Sequence, residues 1–133
     1  MERKYLILAI VIILVGCVSK PFEATNTIYD SSILNKTPNT TKIRVHRVEQ
    51  MSGSALGDSC PLVLKVDEKE IAGLQQNQFI DIYLPAGKHT LSVKFKCALT
   101  AWRKSLDIIA SGEYQEYQTE TGVAGQYRMW QAR

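Results

Sequence analysis

From position 42 onward the chain alternates apolar and polar residues with a period of two, the spacing that sets one side of a strand on a core and the other in water. Ile43 and Val45 alternate with charge. Leu62, Leu64 and Val66 line one face with Val63 and Lys65 opposite, and Ile80, Ile82 and Leu84 alternate with Phe79, Asp81 and Tyr83. The clearest half-buried strand sets Leu91, Val93 and Phe95 against Thr90, Ser92, Lys94 and Lys96; Leu106, Ile108 and Ala110 suggest another. Residues 114–119 and 126–131 read as a closing hairpin around Thr121-Gly122. Asp67-Glu68-Lys69, Pro85-Ala86-Gly87 and Ser111-Gly112 supply turns between the runs. Nothing after residue 17 reads as a long amphipathic helix, with room for one turn within 98–106. The pattern predicts an all-β chain, a small antiparallel β-sandwich over residues 42–133.

Ahead of residue 42 the character changes. Residues 18–41 are rich in Thr, Asn and Ser, contain two prolines and lack sustained periodicity, so 17–41 reads as a flexible, solvated tether. The Ile28-Tyr29 and Ile33-Leu34 pairs are the exceptions, suited to docking either on the domain or on a partner. Further upstream, Arg3 and Lys4 precede an unbroken apolar run over 5–15 that ends at Gly16 and Cys17. A run of this length suits a signal peptide and falls short of the roughly 20 residues of a permanent membrane span. A core helix would carry polar residues at helical spacing, and this run has none.

Leu14-Val15-Gly16-Cys17 resembles the bacterial lipobox: a branched apolar residue, a tolerant position, a small residue, then cysteine. The small residue lets a peptidase approach the bond, and the thiol is the only group available for thioether attachment of diacylglycerol. The resemblance implies that residues 1–16 are a cleaved signal peptide and that Cys17 carries diacylglycerol, with a further acyl chain on the new amine. Two or three such chains hold a protein stably on a membrane, each buried methylene contributing about 0.8 kcal/mol. Val18, not Asp, follows the cysteine, which favours the inner leaflet of the outer membrane, facing the periplasm.

Removing 1–16 from 133 residues leaves 117, one small domain and its tether. Taking Arg3 and Lys4 from the 16 basic residues and Glu2 from the 13 acidic ones leaves a net charge of +2. That is no nucleic-acid signature, and it suits a neighbourhood of anionic lipid or cell-wall polymer. With Cys17 lipidated, Cys60 and Cys97 remain as an even pair in an oxidising compartment, either joined as a disulfide or buried as two thiols. A bridge closing roughly 37 residues would contribute about 3–4 kcal/mol in the chain-entropy model. Cys60 begins one predicted strand and Cys97 ends another, so they meet if those strands are antiparallel and lie apart if parallel.

Val66-Asp67-Glu68-Lys69-Glu70-Ile71-Ala72-Gly73-Leu74, followed by Ile82-Tyr83-Leu84-Pro85-Ala86-Gly87-Lys88-His89-Thr90-Leu91-Ser92-Val93, resembles PEGA-type β-sandwich modules. Those carry a D-G-x-x-x-G turn and then L-x-x-G-x-H-x-h-x-V, where h is apolar. The likeness covers about a quarter of the chain and implies an extracytoplasmic binding or scaffold module without catalysis. Glu68 stands where the family has glycine, so that turn is expected to differ.

Candidate catalytic chemistry is thin. Gly57-Asp58-Ser59 resembles the nucleophile block of GDS-type esterases, which also need Asp-x-x-His near the C-terminus; neither His46 nor His89 has an Asp three residues before it. A polar turn before a strand is the simpler reading. The two histidines fall at no metal-ligand spacing with Cys60 or Cys97, so neither a metal nor a cofactor is implied, and His89 is expected at a hairpin exit, half exposed. Glu113, Glu116 and Glu120 suit the solvated side of a strand better than an acid–base pair.

Tyr114, Tyr117, Tyr127 and Trp130, with Trp102 further back, form a candidate binding surface, since aromatic rings on a sheet stack on sugars or anchor a protein partner. Cross-strand aromatic pairs that only stabilise the sheet are the alternative. The sequence thus points to a non-enzymatic lipoprotein anchored in the cell envelope, acting as a structural or protein-interaction module with an envelope protein partner. The other function it allows is binding of peptidoglycan, polysaccharide or a small ligand through the aromatics.

Overall fold

The computed structural model describes residues 20–50, 60–122 and 125–133. Among them ten strands form two five-stranded sheets. In chain order they are β1 (Glu23–Ala24), β2 (Thr27–Ile28), β3 (Thr40–Arg47), β4 (Leu62–Val66), β5 (Lys69–Leu74), β6 (Gln78–Pro85), β7 (Gly87–Phe95), β8 (Lys104–Ala110), β9 (Gln115–Thr121) and β10 (Tyr127–Gln131). The first sheet runs β1-β6-β3-β9-β10 and the second β2-β5-β4-β7-β8. The predicted all-β sandwich is the observed architecture, and each alternating run coincides with a strand. Ile43, Val45, Ile82 and Tyr117 of the first sheet and Leu62, Leu64, Leu91 and Val93 of the second meet in one core, each at most 2% exposed.

The second sheet is antiparallel throughout, whereas the first is mixed: β3 pairs with β9 in parallel, and β1 with β6. The chain returns from β8 to the first sheet at the end where β3 begins, so β9 runs beside β3 in the same direction. The turn at Pro85-Ala86-Gly87 is not a hairpin. It carries the chain from β6 in one sheet to β7 in the other, with Gly87 at φ 125°.

Strand β5 is the element the alternation did not reveal. Ile71, Ala72, Gly73 and Leu74 are buried consecutively because the β4–β5 ladder is irregular: Leu64 faces Ala72 but Lys65 faces Glu70, so Ile71 is an extra residue that breaks the period, and Pro61 covers Gly73. The β4–β5 turn holds Asp67 at φ 49° and Glu68 at φ 70°. Position 68 therefore keeps the left-handed conformation a glycine would supply, contrary to the expectation that Glu68 changes the turn.

The tether expected over 17–41 requires the largest correction. From Glu23 on, the segment belongs to the sandwich: β1 extends the first sheet beside β6, and three residues later β2 extends the second beside β5. Thr25 makes the crossing, its hydroxyl donating to Gly73 O at 2.5 Å and its amide to Phe79 O at 2.9 Å. Gly73 is what allows it, because a Cβ there would stand 2.9 Å from Pro61 Cβ and 3.1 Å from Thr27 Cγ2. Ile33 and Leu34 dock on the core, and Tyr83 N–H donates to Ile33 O at 2.8 Å. Two short strands and four apolar residues are too brief a signal against a Thr/Asn/Ser background, so the strap shows only in tertiary contacts.

Candidate functional site

Of the residues singled out from sequence, Cys17 and Gly57-Asp58-Ser59 lie outside the described residues. Cys60 and Cys97 form a disulfide with Cα atoms 5.3 Å apart. Its cause is register: β4 and β7 are antiparallel with Leu62 facing Phe95, so two residues before Leu62 and two after Phe95 the same alignment sets Cys60 opposite Cys97.

The four C-terminal aromatics do not share a face. Tyr117 points inward and is 2% exposed, its hydroxyl donating to Gln115 Oε1 at 2.7 Å. Tyr127 packs on Phe95 across the sandwich, ring centres 5.7 Å apart, and its hydroxyl accepts from Phe95 N–H at 3.1 Å. Both serve the core. Trp130, opposite Gln118 on β9, and Tyr114 lie on the outer face of the first sheet, where Lys42 and Arg133 approach the Tyr114 ring at 5.6 and 5.7 Å. Burial, reinforced by the Glu116 carboxylate, raises the Tyr114 hydroxyl above the ordinary tyrosine range.

That outer face holds more than the sequence suggested. The cross-strand register places Phe79, His46, Gln118 and Trp130 in one row. Phe22 stacks on Phe79 at 4.6 Å and meets His46 edge-on at 4.9 Å. Arg44 covers Phe79 at 4.0 Å while its guanidinium donates to both Asp81 oxygens, at 2.8 and 3.0 Å. The His46 Nε2 atom lies 2.7 Å from Asn77 Oδ1. Phe22 and Arg44 thus cover Phe79, and Phe22 and Trp130 are the exposed rings of this face.

The outer face of the second sheet is cationic. Lys65, Lys94, Lys96 and Arg103 surround a depression of about 190 Å³ floored by Val63 and Ser92. Arg103 donates to Glu68 at 2.6 and 2.9 Å, and Lys96 lies 4.0 Å from Glu70 and 4.5 Å from the Tyr29 ring centre. Beside this depression, Leu99 and Trp102 project from the β7–β8 connection, 102% and 74% exposed. Alternation along strands carries no information about either feature, because one arises in a loop and the other from cross-strand neighbours.

Two polar groups sit deep. Arg47, at the end of β3, is 2% exposed; it donates to Leu74 O at 2.8 Å and lies 5.3 Å from the Phe95 ring centre, while its Nε has no hydrogen-bond partner. Burial lowers it to about 10. His89 is not the half-exposed residue expected: its side chain is 11% exposed and clamped between Asp67 and the carbonyl of Pro85. Glu116 and Glu120 lie on the outer face of β9, bonded to Tyr114 and Arg128, and Glu113 is exposed ahead of it. Among the described residues, no three His, Cys, Asp or Glu side chains gather as metal ligands.

The two sides of the sandwich differ. The strap stitches one side; on the other, β8 and β10 each have a single pairing neighbour. A cleft of about 320 Å³ opens there, lined by Leu106, Ile108, Tyr117 and Gln131 among others. No family model matches this chain, and neither a characterised protein nor a solved structure does so.

Proposed function

We propose that this protein is a lipid-anchored, non-catalytic interaction module of the bacterial cell envelope. Acyl chains on Cys17 hold it to the membrane, most naturally the periplasmic face of the outer membrane, and the sandwich presents a docking edge. The observation that carries the interaction reading is the unclosed side. Strand β8 pairs with β7 alone and offers its other backbone edge beside the cleft, with Ile109 63% exposed and its carbonyl accepting from Gln115 Nε2 at 2.7 Å, a bond that a docking strand would replace. A partner strand adding to that edge would gain main-chain hydrogen bonds, with side-chain pockets supplying specificity. The likeness to PEGA-type modules supports the same class.

A photo-crosslinking residue at position 109, activated in intact cells, tests it: one dominant protein adduct supports the reading, and the absence of any protein adduct rejects it. The outer-face row of Phe79, His46, Gln118 and Trp130 favours a second reading, binding of a flat sugar ring. In that case Trp130→Ala abolishes retention on peptidoglycan or polysaccharide while the melting temperature is kept.

A further inference from the structure

The β7–β8 connection, residues 96–103, combines three properties that a loop rarely has together. Its apolar tip is open to solvent, with Leu99 102% and Trp102 74% exposed. Its base is rigid: the disulfide fixes Cys97 to Cys60, Lys96 N–H donates to Pro61 O at 3.0 Å, and Ala98 N–H donates to Phe95 O at 3.1 Å. Its flanks are cationic, with Lys94, Lys96, Arg103 and Lys104 within two residues of the loop. Among the described residues Lys94 and Lys104 have no carboxylate within 4 Å, Lys65 acts on Glu68 only through its charge, and Glu68 and Glu70 are bonded by Arg103 and Lys96.

The place where the chain enters the fold gives the loop an orientation. Lys20 N–H donates to Glu49 Oε1 at 2.7 Å, and Lys20 O accepts from Asn77 Nδ2 at 2.8 Å. Glu49 follows β3 and Asn77 lies in the β5–β6 turn, so Lys20 sits at the end of the sandwich where β3 and β5 finish. Antiparallel pairing of β5 with β4 and of β4 with β7 brings the end of β7, and with it Cys97, to that same end. Arg47 ties the two sheets together there through Leu74 O and the Phe95 ring. Two residues, Val18 and Ser19, separate Cys17 from Lys20, a reach of about 10 Å over three steps at full extension. An acylated Cys17 therefore holds this end, with its exposed Leu and Trp, against the lipid surface.

We propose that the 96–103 loop is a second membrane contact. Leu99 and Trp102 enter the headgroup region of an anionic bilayer, and Lys94 and Lys104 lie on its phosphates. The inference rests on the lipoprotein reading for the loop's proximity to lipid, and on the loop's own chemistry for its affinity. Tryptophan settles at the interface, leucine at the acyl boundary, and cations gain from anionic headgroups within a Debye length. The acyl chains would supply attachment and the loop orientation, directing β8 and the cleft sideways along the membrane.

The test uses the full chain with Trp130→Phe, leaving Trp102 as the only tryptophan, in vesicles of phosphatidylethanolamine and phosphatidylglycerol with brominated acyl chains. Intact mass is measured on the same preparation. Trp102 emission is expected to shift to the blue and to be quenched about twofold or more, as for a ring at the headgroup level. In the companion Trp102→Phe chain, Trp130 emission stays unquenched. Lys94→Glu with Lys104→Glu lowers Trp102 quenching on these vesicles. Unquenched Trp102 on a chain whose mass includes acylated Cys17 overturns the proposal, as does a photo-crosslinker at 102 that captures protein instead of lipid. An unacylated Cys17 rejects the anchor alone; the loop is then judged by quenching of the same protein added to the vesicles, with the same two outcomes.

Discussion

His89 Nδ1 lies 2.6 Å from Asp67 Oδ2, and this contact joins the β4–β5 turn to the corner where the chain passes from β6 to β7. The other ring nitrogen lies 2.7 Å from Pro85 O, and Asp67 Oδ1 accepts from Thr90 N–H at 2.9 Å. Both imidazole nitrogens thus face acceptors, the arrangement of an imidazolium. Burial opposes the charge on each partner. For His89 the carboxylate and the carbonyl outweigh it and raise the pKa; for Asp67 the His89 and Thr90 bonds outweigh it and lower the pKa.

These shifts fix the sign of a pH dependence. The histidine contribution is complete below the ordinary value of 6.5 and is lost as pH rises through the elevated folded value. The aspartate contribution is complete above the ordinary value of 3.8 and is lost as pH falls through the depressed one. Thermal denaturation at a series of pH values should show this clamp strongest between those two ordinary values. Relative to His89→Gln, the native chain should lose its advantage above neutrality.

The disulfide should carry a large part of the stability. Closing 37 residues contributes roughly 3–4 kcal/mol in the chain-entropy model. Urea titration with and without reductant, or of Cys60→Ala with Cys97→Ala, should show a loss of that order. A midpoint unchanged by reduction would refute the estimate.

Arg47 should be replaceable with a gain. It is protonated at neutral pH, since burial lowers it only to about 10, yet among the described residues it touches no carboxylate. Arg47→Met keeps much of the volume and removes a desolvated cation, so it should stabilise by on the order of 1 kcal/mol or more. Arg47→Ala leaves a void and should destabilise. Chemical denaturation of the two variants gives opposite signs if the charge is a cost.

Gly73→Ala should loosen the N-terminal strap. The added methyl meets the Pro61 ring and the Thr27 methyl at 2.9–3.1 Å, where the ring in particular has little room to yield. A cost of about 1–3 kcal/mol follows from overpacking. Hydrogen exchange should rise first at the amides of Thr25 and Tyr29, which bond across the strap.

The alternation of apolar residues was enough to read the fold class and the strands that have one wet face, because a strand half in water writes its burial into every second side chain. It also located the turns at Asp67-Glu68 and Ser111-Gly112, where the backbone needs particular residues, and it paired Cys60 with Cys97 on the condition that their strands be antiparallel. The signal peptide and the lipidation of Cys17 rest on the sequence motif alone and belong to the proposal.

What only tertiary structure decided has a common physical cause: it depends on which strands become neighbours. Strand β5 lost its period because a bulge inserts Ile71 into its pairing with β4. The strap from Glu23 to Leu34 gains its long-range bonds one at a time from partners 39 to 55 positions away, among them Lys69, Gly73, Ile71 and Phe79. The aromatic set divided because Tyr117 and Tyr127 fall on inward positions of β9 and β10, while Trp130 falls on an outward one. The basic face arose from β4, β7 and the loop after β7 meeting side by side, and the parallel pairing of β3 with β9 came from the path of the chain between sheets, which no local pattern encodes.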